Sequence, residues 1–196
     1  MDLSELRDRP CWLDLVAPGE HDLALVAEEL GLHPLAVEDA LQQHERPKIE
    51  SYEGHYFILF YAIEEPTPDL VETQQVAMFV LQNALVTVHQ KEFSARAAVE
   101  KRFREGRLAT TGLLLHALLD TMVDQYFAVV DGFGDRVELL EALIIETGPG
   151  AHQTSLRELF LLKRDLLQIR RIVAPEREVL AVLSRGDITE LREPGR

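Results

Sequence analysis

Residues 113–146 constrain the fold more than any other segment, because their apolar side chains recur every three or four positions without a break. A helix of this length is roughly 50 Å long at about 1.5 Å per residue. Its apolar stripe consists of Leu115, Leu119, Met122, Tyr126, Val129, Phe133, Val137, Leu140 and Ile144. Its opposite side carries Asp120, Asp124, Asp131, Asp135, Glu138 and Glu141. The pattern therefore predicts one long helix with a face that must be buried and a face that is acidic.

A second long helix is predicted after the Gly148-Pro149-Gly150 break, with basic residues among its apolar ones. The basic residues are Arg157, Lys163, Arg164, Arg170, Arg171 and Arg177. Because like charges at i,i+4 repel on the first helix, an antiparallel partner of opposite charge would relieve them. The acidic face then is a solvated surface paired with basic side chains, or a surface that attracts divalent cations. Pro175 is expected to kink or interrupt this second helix.

The first half of the chain mixes strand and helix patterns. Residues 11–15 predict a strand, a helix then runs to Gly31, and Pro34 begins another helix that stops before Arg46. Residues 49–63 become almost continuously apolar and predict one central strand covered on both faces. Residues 64–69 predict a turn, and residues 75–81 and 84–89 predict a β-hairpin. A helix over residues 92–105 should end at Gly106.

Composition excludes several classes of protein. The formal charge of -14 repels a phosphate backbone, so nucleic acid is not expected as a partner. The single cysteine, Cys11, permits no intramolecular disulfide and no cysteine-based zinc cage. Phosphate-binding loops, a G-x-S-x-G elbow and an EF-hand loop are missing from the sequence, so we expect no enzyme. No segment has the uninterrupted apolar length of a membrane helix, and the chain as given is expected to be soluble.

Two histidines near the predicted second helix raise the question of a metal site. His33 and His44 lie at opposite ends of that helix, roughly 16 Å apart, so they cannot share one ion. The H-E-x-x-H spacing of zinc proteases is also missing. We expect His33 at the helix entrance, His44 at its exit, and Glu38 and Asp39 in solvent. His55 and His89 lie in predicted strands and could meet in space, which leaves a metal-dependent hydrolase as a minor hypothesis.

Several strings occur in an order that resembles the cytoplasmic part of CorA-type magnesium transporters. They are WLDL at 12–15, LHPLAVEDA at 32–40, RPKIE at 46–50, LVTVH at 85–89, LLD at 118–120, VDQYF at 123–127, LLQIRR at 166–171 and APEREVL at 174–180. The resemblance implies an α+β fold: an α/β/α sandwich with a mixed central sheet over residues 1–108, then a long antiparallel helical hairpin over residues 109–196. The LHPLAVEDA string is then a structural signature of the family.

The same resemblance implies a function and partners. Family members are homopentamers that carry divalent cations passively across a membrane, and their cytoplasmic part senses Mg²⁺ and holds the channel closed. Their stalk and membrane helices would follow Arg196, so this chain is expected to be a soluble fragment, at the cytoplasmic face of the inner membrane in the full-length protein. It would not conduct ions alone, and its contact with the membrane would come only through those missing helices.

The resemblance also suggests where a cation could bind. The sensing acid of relatives lies after the central strand, which points here to Glu64, Glu65 and Asp69. Asp120 and Asp124 match acidic positions of the long helix. Mg²⁺ would be a weak regulatory ligand, because it retains several waters and a few carboxylates hold it loosely. Co²⁺ and Zn²⁺ stay open, since a related branch transports zinc. A soluble helical interaction module without a metal role is the other alternative.

Overall fold

The fold was analysed in a computed structural model, which describes residues 10–67, 70–147 and 152–185. The strands are β1 (Cys11–Val16), β2 (Lys48–Tyr52), β3 (His55–Thr67), β4 (Leu70–Val80) and β5 (Ala84–His89). The helices are α1 (Glu20–Leu30), α2 (Pro34–Leu41), α3 (Ser94–Arg104), α4 (Thr111–Thr147) and α5 (His152–Ser184). Strands thus dominate the first half and helices the second, as the change of periodicity near residue 92 predicts.

The five strands form one mixed sheet in the order β1-β5-β4-β3-β2. Only β1 and β5 are parallel, and the other neighbours are antiparallel. The predicted hairpin of β4 and β5 is confirmed, and it places Phe79 opposite Val86. Because successive side chains of a strand point to opposite faces, β3 and β4 contribute to two separate cores.

Each face of the sheet is covered by helices. On one face Ile58, Phe60 and Met78 pack under α3 and the first half of α4. On the other face Phe57, Leu59 and Phe79 pack under α1 and α2, with Val129 of α4 and Ile172 of α5 in the same cluster. The α/β/α sandwich followed by two long helices is therefore confirmed, and the continuous apolar run in β3 follows from burial on both sides.

The ends of the short helices follow local sequence signals. Gly31 ends α1 in the left-handed conformation, at φ 66°, which glycine adopts without steric cost. Pro34 is the first residue of α2, and the Nδ1 atom of His33 accepts a hydrogen bond from the Leu35 amide. Gly106, at φ 74°, follows the end of α3. These boundaries agree with the sequence-based expectation to within a few residues.

The prediction of one strand over residues 49–63 is wrong. The chain turns at Glu53 and Gly54, and β2 then pairs antiparallel with β3, so that Ile49 lies opposite Ile58. Gly54 takes φ 82°, a left-handed conformation that permits this tight turn. As a result β2 is an edge strand, and β3 lies inside the sheet between β2 and β4. Residues 64–67, which were expected in a turn, extend β3, because they continue its pairing with β4.

The predicted pairing of acids on α4 with bases on α5 is also wrong. The ion pair that joins the described parts of the two helices has the opposite sense: Arg136 of α4 lies 3.6 Å from Asp165 of α5. The six acids on the side of α4 opposite its apolar stripe are exposed. The contact between the helices follows the buried apolar side chains, which rotate those acids into solvent. Pro175 lies inside α5 and does not interrupt it.

One helix is long and apolar enough to cross a membrane by composition, contrary to the sequence-based expectation. This stretch of α4, Thr111–Ile145, has a mean hydropathy of 1.3. Its first half, however, lies on the sheet, where Leu114, Leu118 and Met122 are buried. The same apolar composition therefore serves a protein core, which is a common use of such a helix.

Candidate cation-binding surface

Glu64, near the end of β3, holds the start of α3. Its Oε1 atom accepts hydrogen bonds from the Ser94 amide, at 2.7 Å, and from the Ser94 hydroxyl. The first amides of a helix have no partner within the helix, and a carboxylate there also interacts favourably with the helix dipole. Phe93, at the N-cap position, supplies no side-chain acceptor. A cation that bound Glu64 would therefore compete with its hydrogen bonds from Ser94.

Glu65 borders an open groove between the sheet and the two helices α3 and α4. The groove has a volume of about 540 Å³, and its walls include Glu64, Glu65, Glu92, Ser94 and Gln125. The Glu65 carboxylate lies against Gly132 of α4, where a Cβ atom would collide with it. The lack of a side chain at Gly132 thus creates the space that this carboxylate occupies.

The remaining acids predicted from the sequence are not brought to this groove. Asp120 lines a second, mostly apolar groove between the start of α4 and the end of α5, beside Leu180 and Leu183. Asp124 is exposed on α4 and lines neither groove. Asp69 lies outside the described residues. Glu64 and Glu65 are therefore the only two of the described sequence-predicted acids that share one surface.

The groove contains a further carboxylate, Glu92, and an amide, Gln125, that sequence reasoning missed. Glu92 follows β5 by three residues and also lines a smaller cleft with Glu64 and Glu72. The antiparallel pairing of β3 with β4 brings Glu72 opposite Glu64, so the register creates part of this acidic surface. Knowledge of the strand order would have identified Glu72 and Glu92, whereas their spacing in the sequence carries no such signal.

These carboxylates do not form a preformed metal cage. Within residues 10–67, 70–147 and 152–185, no group of three or more His, Cys, Asp or Glu side chains is arranged to hold an ion. Magnesium keeps several of its waters when it binds, so carboxylates around an open groove can contact a hydrated ion through those waters. The arrangement suits weak, outer-sphere binding, and direct ligation would need donors from another segment or another subunit.

Three histidines, His33, His55 and His89, pack within the fold, and His55 does not meet His89. His33 stacks on Tyr52 with ring centroids 4.3 Å apart, and Tyr52 stacks on His55 at 5.3 Å. His55 of β3 accepts a hydrogen bond from the His33 amide. His89 of β5 instead pairs with Asp14 of β1. His55 and His89 thus have different partners. Asp39, which was expected in solvent, instead forms an ion pair with Lys48 at 2.7 Å.

Asp14 is the centre of a polar network between β1, β5 and α3. Its Oδ1 atom accepts hydrogen bonds from the Thr87 hydroxyl, at 2.5 Å, and from His89 Nε2, at 2.9 Å, and its Oδ2 atom pairs with Arg96 Nε at 2.7 Å. Burial alone would raise the pKa of this carboxyl, but the hydrogen bonds from His89, Thr87 and Arg96 lower it overall. The Thr87 oxygen also accepts a hydrogen bond from Trp12 Nε1 at 2.9 Å, so the network ties β1 and β5 to α3.

Comparison with known proteins places this geometry in a family. The chain is 32% identical over 191 residues to YfjQ of Bacillus subtilis, named as a metal ion transporter, and 30% identical over 191 residues to the cobalt/magnesium transport protein CorA of Thermotoga maritima. These matches cover 93% and 94% of the chain but 56% and 53% of the relatives, so the chain spans about half of their length.

The fold has a counterpart among solved structures. The soluble domain of CorA from Methanocaldococcus jannaschii superposes with a TM-score of 0.77 at 21% identity, over 91% of this chain and 72% of that one. The sequence also matches the family described as CorA-like Mg²⁺ transporter protein over residues 7–194. This match covers nearly all of the sequence, and the fold agrees with it. The chain therefore belongs to the CorA-like Mg²⁺ transporter family.

Proposed function

We propose that this chain is the ion-sensing and gating part of a CorA-type magnesium or cobalt transporter, at the cytoplasmic face of the membrane. The family match over residues 7–194 is the observation that carries this proposal. The name of the Thermotoga relative refers to both cobalt and magnesium. In this proposal the transporter is a homopentamer, and membrane helices of the longer protein conduct the ion. Residues 1–108 sense the ion, and residues 109–196 transmit the resulting movement.

The acidic groove is the proposed place of sensing. A hydrated divalent ion near Glu64, Glu65 and Glu92 would reduce the repulsion among these carboxylates. Because the described residues of one chain lack a cage, we propose that a neighbouring copy supplies further oxygen ligands. Ion binding would then hold subunits together, and loss of the ion would free α4 and α5 to move. Asp120 and Asp124 would attract cations to the exposed side of α4.

A thermal unfolding experiment tests this proposal. A ligand that binds only the folded state raises stability by RT ln(1 + [L]/Kd). With a Kd of about 1 mM, 10 mM MgCl₂ at constant ionic strength should raise the free energy of unfolding by roughly 1.4 kcal/mol. For a chain of this size that corresponds to a rise in Tm of about 3 to 6 °C. Light scattering in the same samples should show a larger assembly.

Charge-neutralising variants separate a specific effect from general screening. Glu65→Gln and Asp124→Asn should each reduce the rise in Tm, whereas Glu29→Gln, which removes the same charge from the exposed surface of α1, should leave it unchanged. A response to Zn²⁺ that exceeds the responses to Mg²⁺ and Co²⁺ would favour a zinc transporter. An unchanged Tm with every ion would contradict sensing by this chain.

The helical interaction module is the second candidate, because α5 exposes large apolar side chains. Leu156, Leu159 and Phe160 are at least half exposed in this chain. Such a surface suits a partner helix and needs no metal. This alternative predicts association through α5 that persists in the presence of a chelator, whereas the sensing proposal predicts association that the chelator reverses.

A further inference from the structure

Glu176 of α5 is a carboxyl group buried against the open edge of β3. It is 2% exposed. The β2–β3 ladder ends at the pair Lys48 and Leu59, so Tyr61 of β3 has no strand beside it in that direction. Its amide and carbonyl groups would be left without a partner in the core. Instead, the Tyr61 amide donates to Glu176 Oε1 at 2.8 Å, and the Tyr61 carbonyl accepts from the Tyr126 hydroxyl at 2.5 Å.

The hydrogen atoms of this cluster can be counted from its geometry. The Tyr126 oxygen also lies 3.0 Å from Glu176 Oε2 and 3.1 Å from Oε1. A tyrosine hydroxyl has one proton to donate, and the Tyr61 carbonyl can only accept. If Tyr126 donates to that carbonyl, the hydrogen bond between Tyr126 and Glu176 needs a proton from the carboxyl group. Oε2 then donates, Oε1 accepts from the Tyr61 amide, and all three groups are satisfied in a closed ring.

An ionised Glu176 cannot complete this ring. Tyr126 would have to turn its proton towards the carboxylate, and the Tyr61 carbonyl would then face the Tyr126 oxygen at 2.5 Å without a hydrogen between them. No lysine, arginine or histidine of the described chain lies within 4 Å of the Glu176 oxygens to balance a charge. On α5 itself, the neighbouring Arg177 and Glu178 are exposed and pair with each other at 3.7 Å.

The other groups that face Glu176 favour its neutral form as well. From β3 it faces Tyr61, whose hydroxyl donates to the Glu45 carbonyl, and from α4 it faces Tyr126. Burial is the main cause that raises the pKa of Tyr61 to about 12, so this tyrosine stays neutral. Burial raises the pKa of Glu176 to about 8, although the hydrogen bonds that Tyr61 and Tyr126 can give to the ionised form partly oppose this.

We propose that Glu176 is a proton-operated latch, which in its neutral form joins α5 to α4 and to the open edge of β3, and which releases α5 when it loses its proton. The latch acts where both long helices meet the sheet. It is independent of the cation proposal, because it uses none of the acids of the groove. Its state would make the attachment of α5 respond to a rise in pH above neutrality.

Hydrogen exchange at the Tyr61 amide measures the latch directly. Glu176 has a higher pKa in the folded protein than its ordinary value of 4.5, so the folded state holds an extra proton and loses stability as pH rises towards about 8. Between pH 4.5 and about pH 8, each pH unit raises the equilibrium constant for local opening at Tyr61 about tenfold. The protection factor of the Tyr61 amide, which already corrects for intrinsic exchange, should therefore fall about a hundredfold between pH 6 and pH 9.

Glu176→Gln supplies the decisive comparison. A glutamine can accept from the Tyr61 amide and donate to Tyr126, as the neutral acid does, but it cannot ionise. Its protection factor should stay constant between pH 6 and pH 9, whereas that of the unchanged protein falls about a hundredfold. Glu178→Gln is the matched control, since it removes an exposed carboxyl two residues away and should preserve the fall.

Two outcomes would overturn the latch. An equal fall in the unchanged protein and in Glu176→Gln would assign the pH effect to other groups, and a constant protection factor in the unchanged protein would exclude the latch. If Glu176→Gln does not fold, a ¹³C NMR titration of the glutamate carboxyls in the unchanged protein decides the question. One carboxyl should titrate near pH 8, and titration of every carboxyl near the ordinary value of 4.5 would refute the proposal.

Discussion

Replacing Phe79 by alanine is expected to lower the free energy of unfolding by about 3–5 kcal/mol. Phe79 is fully buried near the end of β4. Its ring lies 5.1 Å from that of Phe57 and 6.0 Å from that of His55, under α1 and α2. Truncation removes these contacts and leaves a cavity that a rigid sheet cannot close. Urea unfolding should show a lower midpoint with an unchanged m-value.

Phe160→Ala is the matched control, because it removes the same side chain from an exposed position on α5. Phe160 is 66% exposed, so its truncation should change stability by less than about 1 kcal/mol. A large loss at Phe160 would mean that another copy or partner covers this face in solution. A loss below about 1 kcal/mol at Phe79 would contradict the sheet core described above.

Replacing Asp14 by asparagine is expected to cost about 3 kcal/mol or more near neutral pH, the range found when one member of a buried ion pair is removed. His89 directs both ring nitrogens at acceptors: Nδ1 lies 2.7 Å from the Lys91 carbonyl and Nε2 lies 2.9 Å from Asp14. Arg96 also depends on the same carboxylate. Asparagine keeps the shape and removes the charge, so Arg96 loses its counterion and His89 loses a charged partner.

The effect of Asp14→Asn should depend on pH with a defined sign. The lowered pKa of Asp14 means that its contribution is present above the ordinary aspartate value of 3.8 and is lost as pH falls through the lower, folded value. The unchanged protein should therefore lose more stability than the variant between pH 5 and pH 2. Asp135→Asn, at an exposed site on α4, should change neither the stability nor its pH dependence by more than about 0.5 kcal/mol. Parallel pH curves for Asp14→Asn and the unchanged protein would refute the network.

The errors of sequence reasoning in this chain have a common cause. The turn at Glu53-Gly54 is not predicted, because an alternating segment before one glycine and an apolar run after it look the same whether the chain goes straight or reverses. The charge pattern predicted the wrong pairing of α4 with α5, because buried apolar contacts outweigh exposed ion pairs of roughly 0–1 kcal/mol. In both cases a local pattern left two long-range arrangements open, and burial selected one.

The candidate site also combines residues that the sequence could identify with residues that it could not. The family resemblance points to Glu64 and Glu65, and the structure brings them to one groove. Glu92 and Gln125 reach that groove from other elements, and Asp120 and Asp124 are directed elsewhere by the rotation of α4. Glu176 carried no signal at all, since a glutamate within a polar helix is ordinarily exposed.

While the sandwich followed from the family resemblance, the sequence by itself determined the strand-rich first half, the two long helices and the ends of the short ones. These properties depend on periodicity and on single residues such as Gly31 and Pro34, whose backbone preferences act locally. Only the tertiary structure decided which strand is central, which acids share a groove, and which carboxyl is buried against the Tyr61 edge. Those properties depend on contacts between distant residues, where the burial of apolar surface on both faces of the sheet overrides local charge.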